Sequence, residues 1–99
     1  MVVTVFRNRL RTEARDEYQV WIARMRDLAM TMPGYVSHKT FTADDGERVT
    51  IVEFESEAAL AAWRNHPEHR EVQARARSQW FADYRIQVCE VVRDYSFKA

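Results

Sequence analysis

Trp63, His66 and His69 lie within seven consecutive positions and straddle Pro67. An indole offers a flat apolar wall on which an aromatic ligand can stack. An imidazole is the side chain best suited to taking or returning a proton near neutral pH. Trp63 also reads as a core aromatic, and it can serve both purposes at once. The residue before a proline is pushed away from helical geometry, so His66 reads first as a capping or turn residue. His69, one helical turn beyond the break, is the better pocket candidate. Zinc chemistry needs about three protein ligands, and other metal sites need a carboxylate facial triad. No third ligand falls at a motif spacing and no H-E-x-x-H is present, so no metal site is expected. Asn8 is the one amide in a mostly apolar alternation, Val2, Thr4, Phe6, Asn8, Leu10. If that side faces the interior, the amide needs partners, either a ligand or a structural neighbour. Arg70, Arg75 and Arg77 could hold an anion, or form a solvated helix face with acidic neighbours such as Glu71. His38 alternates with Val36 and Thr40 and reads as structural. There is no Gly-rich phosphate loop, nucleophile elbow or Cys-His arrangement.

These groups need a scaffold, and 99 residues make a single domain, 1–99. A chain this short buries a modest core and often gains more from a second copy. Fifteen basic side chains balance fifteen acidic ones. That balance gives no field for nucleic acid or an anionic membrane. No apolar run approaches the roughly 18 residues of a membrane helix. The opening MVVTVFRNRL lacks the order of a signal peptide. The lone Cys89 cannot form an intrachain disulfide. A soluble cytoplasmic protein is the expectation.

The pattern predicts a strand over Val2 to Leu10, then a helix capped at Thr12 with acidic residues in its first turn. Ala14, Tyr18, Ile22, Met25, Leu28, Ala29 and Met32 form its apolar stripe, with Trp21 alongside. Pro33-Gly34 ends it. Strands follow over Tyr35 to Thr42 and Arg48 to Glu55, joined by Asp44-Asp45-Gly46. Ser56 caps a short helix that ends at the His66-Pro67 break. A second helix is predicted to about Tyr84, with Val72, Ala76, Trp80 and Phe81 inward. The last strand is expected over Arg85 to Phe97, with a bulge.

This order, β-α-β-β-α-β, predicts an α+β fold of the ferredoxin-like kind, a four-stranded antiparallel sheet with helices on one face. The other face carries valines that a monomer would leave wet. A homodimer with its two sheets packed face to face is therefore expected.

Asn8-Arg9-Leu10, Met32-Pro33-Gly34, the S-E-A-A-L start at Ser56, and Trp63 followed by His69 complete a pattern over nearly the whole chain. In these features it resembles the antibiotic biosynthesis monooxygenase (ABM) family of dimeric α/β barrels. The resemblance implies a pocket in each subunit between sheet and helices. Some members oxidise polyphenolic or anthrone-type aromatics to quinones with O2 and no cofactor. Others bind and degrade haem through a strand Asn, a helix Trp and an axial His. Asn8 and Trp63 match the first two; the axial position falls near Gln73. Quinone-forming members carry a pocket Tyr where this chain has His69. The leading expectation is a cofactor-free monooxygenase of a small aromatic or phenolic compound. Asn8, Trp63 and His69 would be catalytic, and Phe6, His66, Gln73 and Arg77 would line the substrate. A haem-binding or haem-degrading protein, and a non-catalytic dimeric module for a small ligand, are the alternatives.

Overall fold

A computed structural model describes residues 1–99. Strand β1 (Val2–Leu10) leads through a single 3-10 turn (Thr12–Ala14) into α1 (Arg15–Met30). Then come β2 (Tyr35–Thr42), β3 (Arg48–Phe54), α2 (Glu57–Arg64), α3 (Pro67–Arg75), a π turn (Ala76–Trp80) and β4 (Phe81–Glu90). The strands form one antiparallel sheet in the order β2-β3-β1-β4. This is the expected ferredoxin-like α+β fold.

Register decides which side chains share a face, because directly opposed residues point the same way. Val2, Thr4, Phe6 and Asn8 oppose Phe54, Val52, Thr50 and Arg48 on β3. On β4 they oppose Glu90, Val88, Ile86 and Tyr84. This is the helix side. Val2 and Phe54 pack there with Met25 and Ala29 of α1 and Leu60 and Trp63 of α2. At the other end of the sheet Ala14, Tyr18, Ala76, Trp80 and Phe81 form a second cluster, against which Phe6 and Leu10 rest. Val72 touches both clusters and joins them. The α1 stripe is as expected, with Ala14, Tyr18, Met25 and Ala29 buried.

Three elements have bounds that differ from expectation. Thr12 is not the helix cap; it starts the 3-10 turn, and α1 begins after Ala14 without a side-chain cap. The second long helix stops at Arg75 and widens into the π turn. The strand therefore starts at Phe81, four residues earlier than expected, and ends at Glu90 rather than Phe97. The cause is burial. Trp80 is 1% exposed, and Phe81 opposes Leu10 in the sheet across the register shift at Arg9/Leu10. A π turn lets both aromatics point inward in succession, which a 3.6-residue period cannot do.

Gly34 sits at φ +85, where L side chains are strained, and leaves the space next to Ala59 open. It seats α2 closely against the end of α1. The opposite sheet face has no helix. Val3, Val5, Val49 and Ile51 are half-buried there, and Phe41 and Cys89 are exposed. Beyond β4 the side chains of Val92, Tyr95 and Phe97 are almost wholly exposed. No helix is long and apolar enough to cross a membrane.

Candidate active site

The break between α2 and α3 sets the site. The Ser56 hydroxyl accepts from the Ala59 amide at 3.1 Å and starts α2. Leu60 and Trp63, three apart, then fall on one buried face. His66 is extended (φ −58, ψ 132), as a residue before proline must be. Its Nδ1 accepts from the Glu68 amide at 3.2 Å, so it caps α3, while Pro67 takes the first helical turn. One turn on, His69 is turned back over α2. Its ring stacks on Trp63 with centroids 4.0 Å apart and planes 15° from parallel. Such a pair contributes roughly 0.5–1.5 kcal/mol beyond its buried area.

His69 Nδ1 lies 3.1 Å from the Trp63 carbonyl oxygen. A carbonyl can only accept, so Nδ1 carries the hydrogen and Nε2 keeps its lone pair. Burial pushes the His69 pKa below its usual value. The Trp63 carbonyl opposes that shift, and the nearby His66 adds to it. The ring is therefore held neutral, in one tautomer, with Nε2 available as a proton acceptor. His66 stands beside Trp63 at 6.1 Å between ring centroids. An Arg24–Glu68 ion pair at 3.0 Å ties α3 to α1, but it is exposed and contributes little.

Asn8 is 1% exposed, and neither its Oδ1 nor its Nδ2 has a partner. It stands six residues along β1 from Val2, which packs with Trp63; that is about 20 Å of strand. The structure thus brings Trp63, His66 and His69 together and places Asn8 further along the same face. Thr4 Oγ1, between them on that face, is also buried without a partner. Phe6 lies between Thr4 and Asn8 and meets Phe81 and Tyr84 edge-on. Gln73 is half-buried on α3, and Arg77 is exposed on the π turn. Opposite Thr4, Phe6 and Asn8, the β4 residues Val88, Ile86 and Tyr84 remain 49%, 52% and 42% exposed although they are on the helix side. An open apolar row thus runs beside the unpartnered polar atoms of β1. Two surface cavities lie at the ends of the sheet, and neither is lined by Trp63, His69 or Asn8. No three His, Cys, Asp or Glu side chains gather as a metal-binding set. His38 bonds the Tyr35 hydroxyl through Nδ1 at 2.6 Å, in keeping with a structural residue.

Sequence reasoning passed over Arg48 and read Tyr18 only as part of the apolar stripe. Tyr18 is 4% exposed, and the Arg48 guanidinium lies 4.9 Å from its ring centroid. Arg48 Nη1 is buried without a partner. The signal was present: Arg48 alternates with Thr50, Val52 and Phe54, which places it on the helix side.

Comparison with known proteins agrees with this architecture. The model of the antibiotic biosynthesis monooxygenase family matches residues 1–75. The chain belongs to that family. It is 29% identical over 89 residues to the uncharacterised protein YqjZ of Bacillus subtilis (strain 168), covering 90% of this chain and 78% of that one. The fold is similar to that of Rv0793 from Mycobacterium tuberculosis, with a TM-score of 0.84 and 21% identity over 96% of this chain and 98% of that one. It is also similar to SnoaB, a cofactor-independent oxygenase from Streptomyces nogalater. There the TM-score is 0.78 and the identity 18%, over 94% of each chain.

Proposed function

We propose that this protein is a monooxygenase that oxidises a small aromatic or phenolic compound to a quinone with O2 and without a cofactor. The observation that carries the reading is the neutral, half-buried His69 stacked on Trp63 with Nε2 free. A base of this kind can take the proton of a phenol or of an anthrone methylene, and general-base help of this sort contributes roughly 10²–10⁴-fold. The resulting carbanion or phenolate is electron-rich enough to react with O2 directly. At an anthrone methylene, one oxygen atom becomes the new carbonyl and the other leaves as water, so the substrate itself supplies the electrons. In this reading the ring system lies along the helix side of β1, from His69 toward Asn8. Asn8 donates a hydrogen bond to the developing oxyanion at its far end, a role that suits an amide in a dry setting. Phe6, His66 and Gln73 line the ring system, and Arg77 stands at the solvent edge. Family membership and the likeness of fold to a cofactor-independent oxygenase support the reaction class.

The active form in this reading is a homodimer joined through the uncovered sheet face. Val3, Val5, Val49, Ile51 and Phe41 supply the apolar contact, and Tyr95 and Phe97 reach onto the second copy. Burying each large side chain contributes about 1.5–3 kcal/mol.

Oxidation of dithranol under ¹⁸O2 tests the reaction. One labelled atom in the product carbonyl and one in water supports it. Product without label, or no turnover above a Trp63→Ala control, sinks it. Titration with hemin tests the haem reading: a Soret shift lost in His69→Ala or His66→Ala would favour it over the cofactor-free one.

A further inference from the structure

The end of the sheet at and beyond Asn8 carries charged groups to which the proposed reaction gives no role; only Asn8 is shared with it. A groove of about 530 Å³ opens there, and Arg9, Arg15, Gln19, Thr42, Asp45 and Arg48 are among its lining residues. That volume falls in the range of small-molecule sites. Its charge is one-sided. Asp45 is taken by Arg9 at 2.7 Å, and the nearby Glu47 by Arg7 at 2.9 Å. Arg15 and Arg48 form no ion pair. The cavity at the other end of the sheet is lined instead by Glu55, Glu57 and Glu90.

Arg48 is the informative member. Its guanidinium is held over the Tyr18 ring at 4.9 Å, and Nη1 is out of contact with water and unpartnered. Stacking on an aromatic fixes the plane of the fork. Opposite it in register is Asn8, 1% exposed, with both amide atoms unpartnered. Arg48 meets the Tyr18 side chain, whose acidity it raises against the effect of burial, but no carboxylate. A partly buried cation without a counter-ion is costly, and so is an orphaned amide. Their coincidence at one register position, beside an open groove, describes a site whose missing partner is an anion. A fixed planar fork matches a carboxylate, whose two oxygens it meets in parallel. The chain has no Gly-rich loop for a phosphate.

We propose that Arg48, backed by Arg15, holds the carboxylate of an aromatic acid in this groove, so that the substrates are aromatic acids and not neutral aromatics. The inference rests on the reading of the protein as an oxygenase of aromatic compounds and names the class of those compounds. Arg48 is here a specificity-determining residue, and the carboxylate anchors the ring system from the hairpin end of the sheet.

Isothermal titration of the full-length protein with 2-naphthoate, 2-naphthol and inorganic phosphate is the test. Naphthoate should bind at least tenfold more tightly than naphthol. Arg48→Gln should remove that preference and leave naphthol within twofold, and Arg15→Gln should weaken naphthoate about threefold. If Arg48→Gln does not fold, the Arg48 Nε–H resonance of the unmodified protein should move on addition of naphthoate and stay still with naphthol. Equal affinities, an unmoved Arg48 resonance, or an unchanged preference in folded Arg48→Gln would overturn the proposal. Displacement of naphthoate by equimolar phosphate would overturn the carboxylate class. Binding is read without turnover, so the two readings fail separately. No preference for naphthoate in the unmodified protein, beside intact His69-dependent oxidation, refutes this inference alone. An intact preference without oxidation refutes the catalytic reading alone.

Discussion

Replacing Asn8 with leucine should make the protein more stable. Asn8 is 1% exposed, and neither polar atom of its side chain has a partner. Mutational data put the cost of a buried amide without a hydrogen bond at about 1–3 kcal/mol. Leucine has a similar shape, removes that cost, and adds apolar contact with Phe6 and Leu10 on the same side of the strand. The expected gain is ~1–3 kcal/mol. For a domain of 99 residues, each kcal/mol moves Tm by roughly 4–5 °C. Urea denaturation at fixed protein concentration is the assay, because the apparent stability of the proposed dimer depends on concentration. The midpoint should rise with an unchanged slope. The same variant should oxidise dithranol at least tenfold more slowly if, as proposed, the amide serves the developing oxyanion. A loss of stability would refute the reasoning. It would mean that the amide is satisfied in solution and holds the fold together.

Three further outcomes follow from particular residues. Gly34→Ala should cost about 2–4 kcal/mol, from left-handed backbone strain and a Cβ placed 2.6 Å from that of Ala59. Gly46→Ala has the same strain with open space around it, so its urea midpoint should move less. Trp80→Ala should cost about 3–5 kcal/mol by the same assay, because a 1% exposed indole at the π turn holds the second core cluster together. Stability should fall as pH drops through about 6.5. His69 and His38 have folded pKa values below that figure, chiefly through burial, so the unfolded chain binds protons more readily. The loss levels off only below the folded pKa values, and His69→Phe should flatten the part of the pH profile due to that ring.

Much of the fold was legible in the sequence because its signals are local. The α1 stripe, the Pro33-Gly34 stop, the Asp-Gly connection and the Ser56 cap each act over a few residues. The π turn was not legible. Trp80 and Phe81 fit a helical stripe as well as a strand start, and only pairing with Leu10, more than seventy positions away, decides between them. Among site residues, His66 as a cap followed from Pro67. The stacking of His69 on Trp63 needed the actual angle of the break, which no spacing rule contains. Arg48 escaped notice because it stood first in a strand, where arginines are commonly solvated. Its lack of a partner emerges only once Glu47 and Asp45 are seen to be engaged elsewhere.

The most direct test of the central claim is initial O2 uptake with dithranol in chelator-treated buffer, for the unmodified protein and His69→Ala. The account predicts uptake by the unmodified protein, falling as pH drops through the folded His69 pKa, which burial holds below the usual imidazole value. His69→Ala should reduce kcat roughly 10²–10⁴-fold with the fold intact. Equal rates in the two proteins would contradict it.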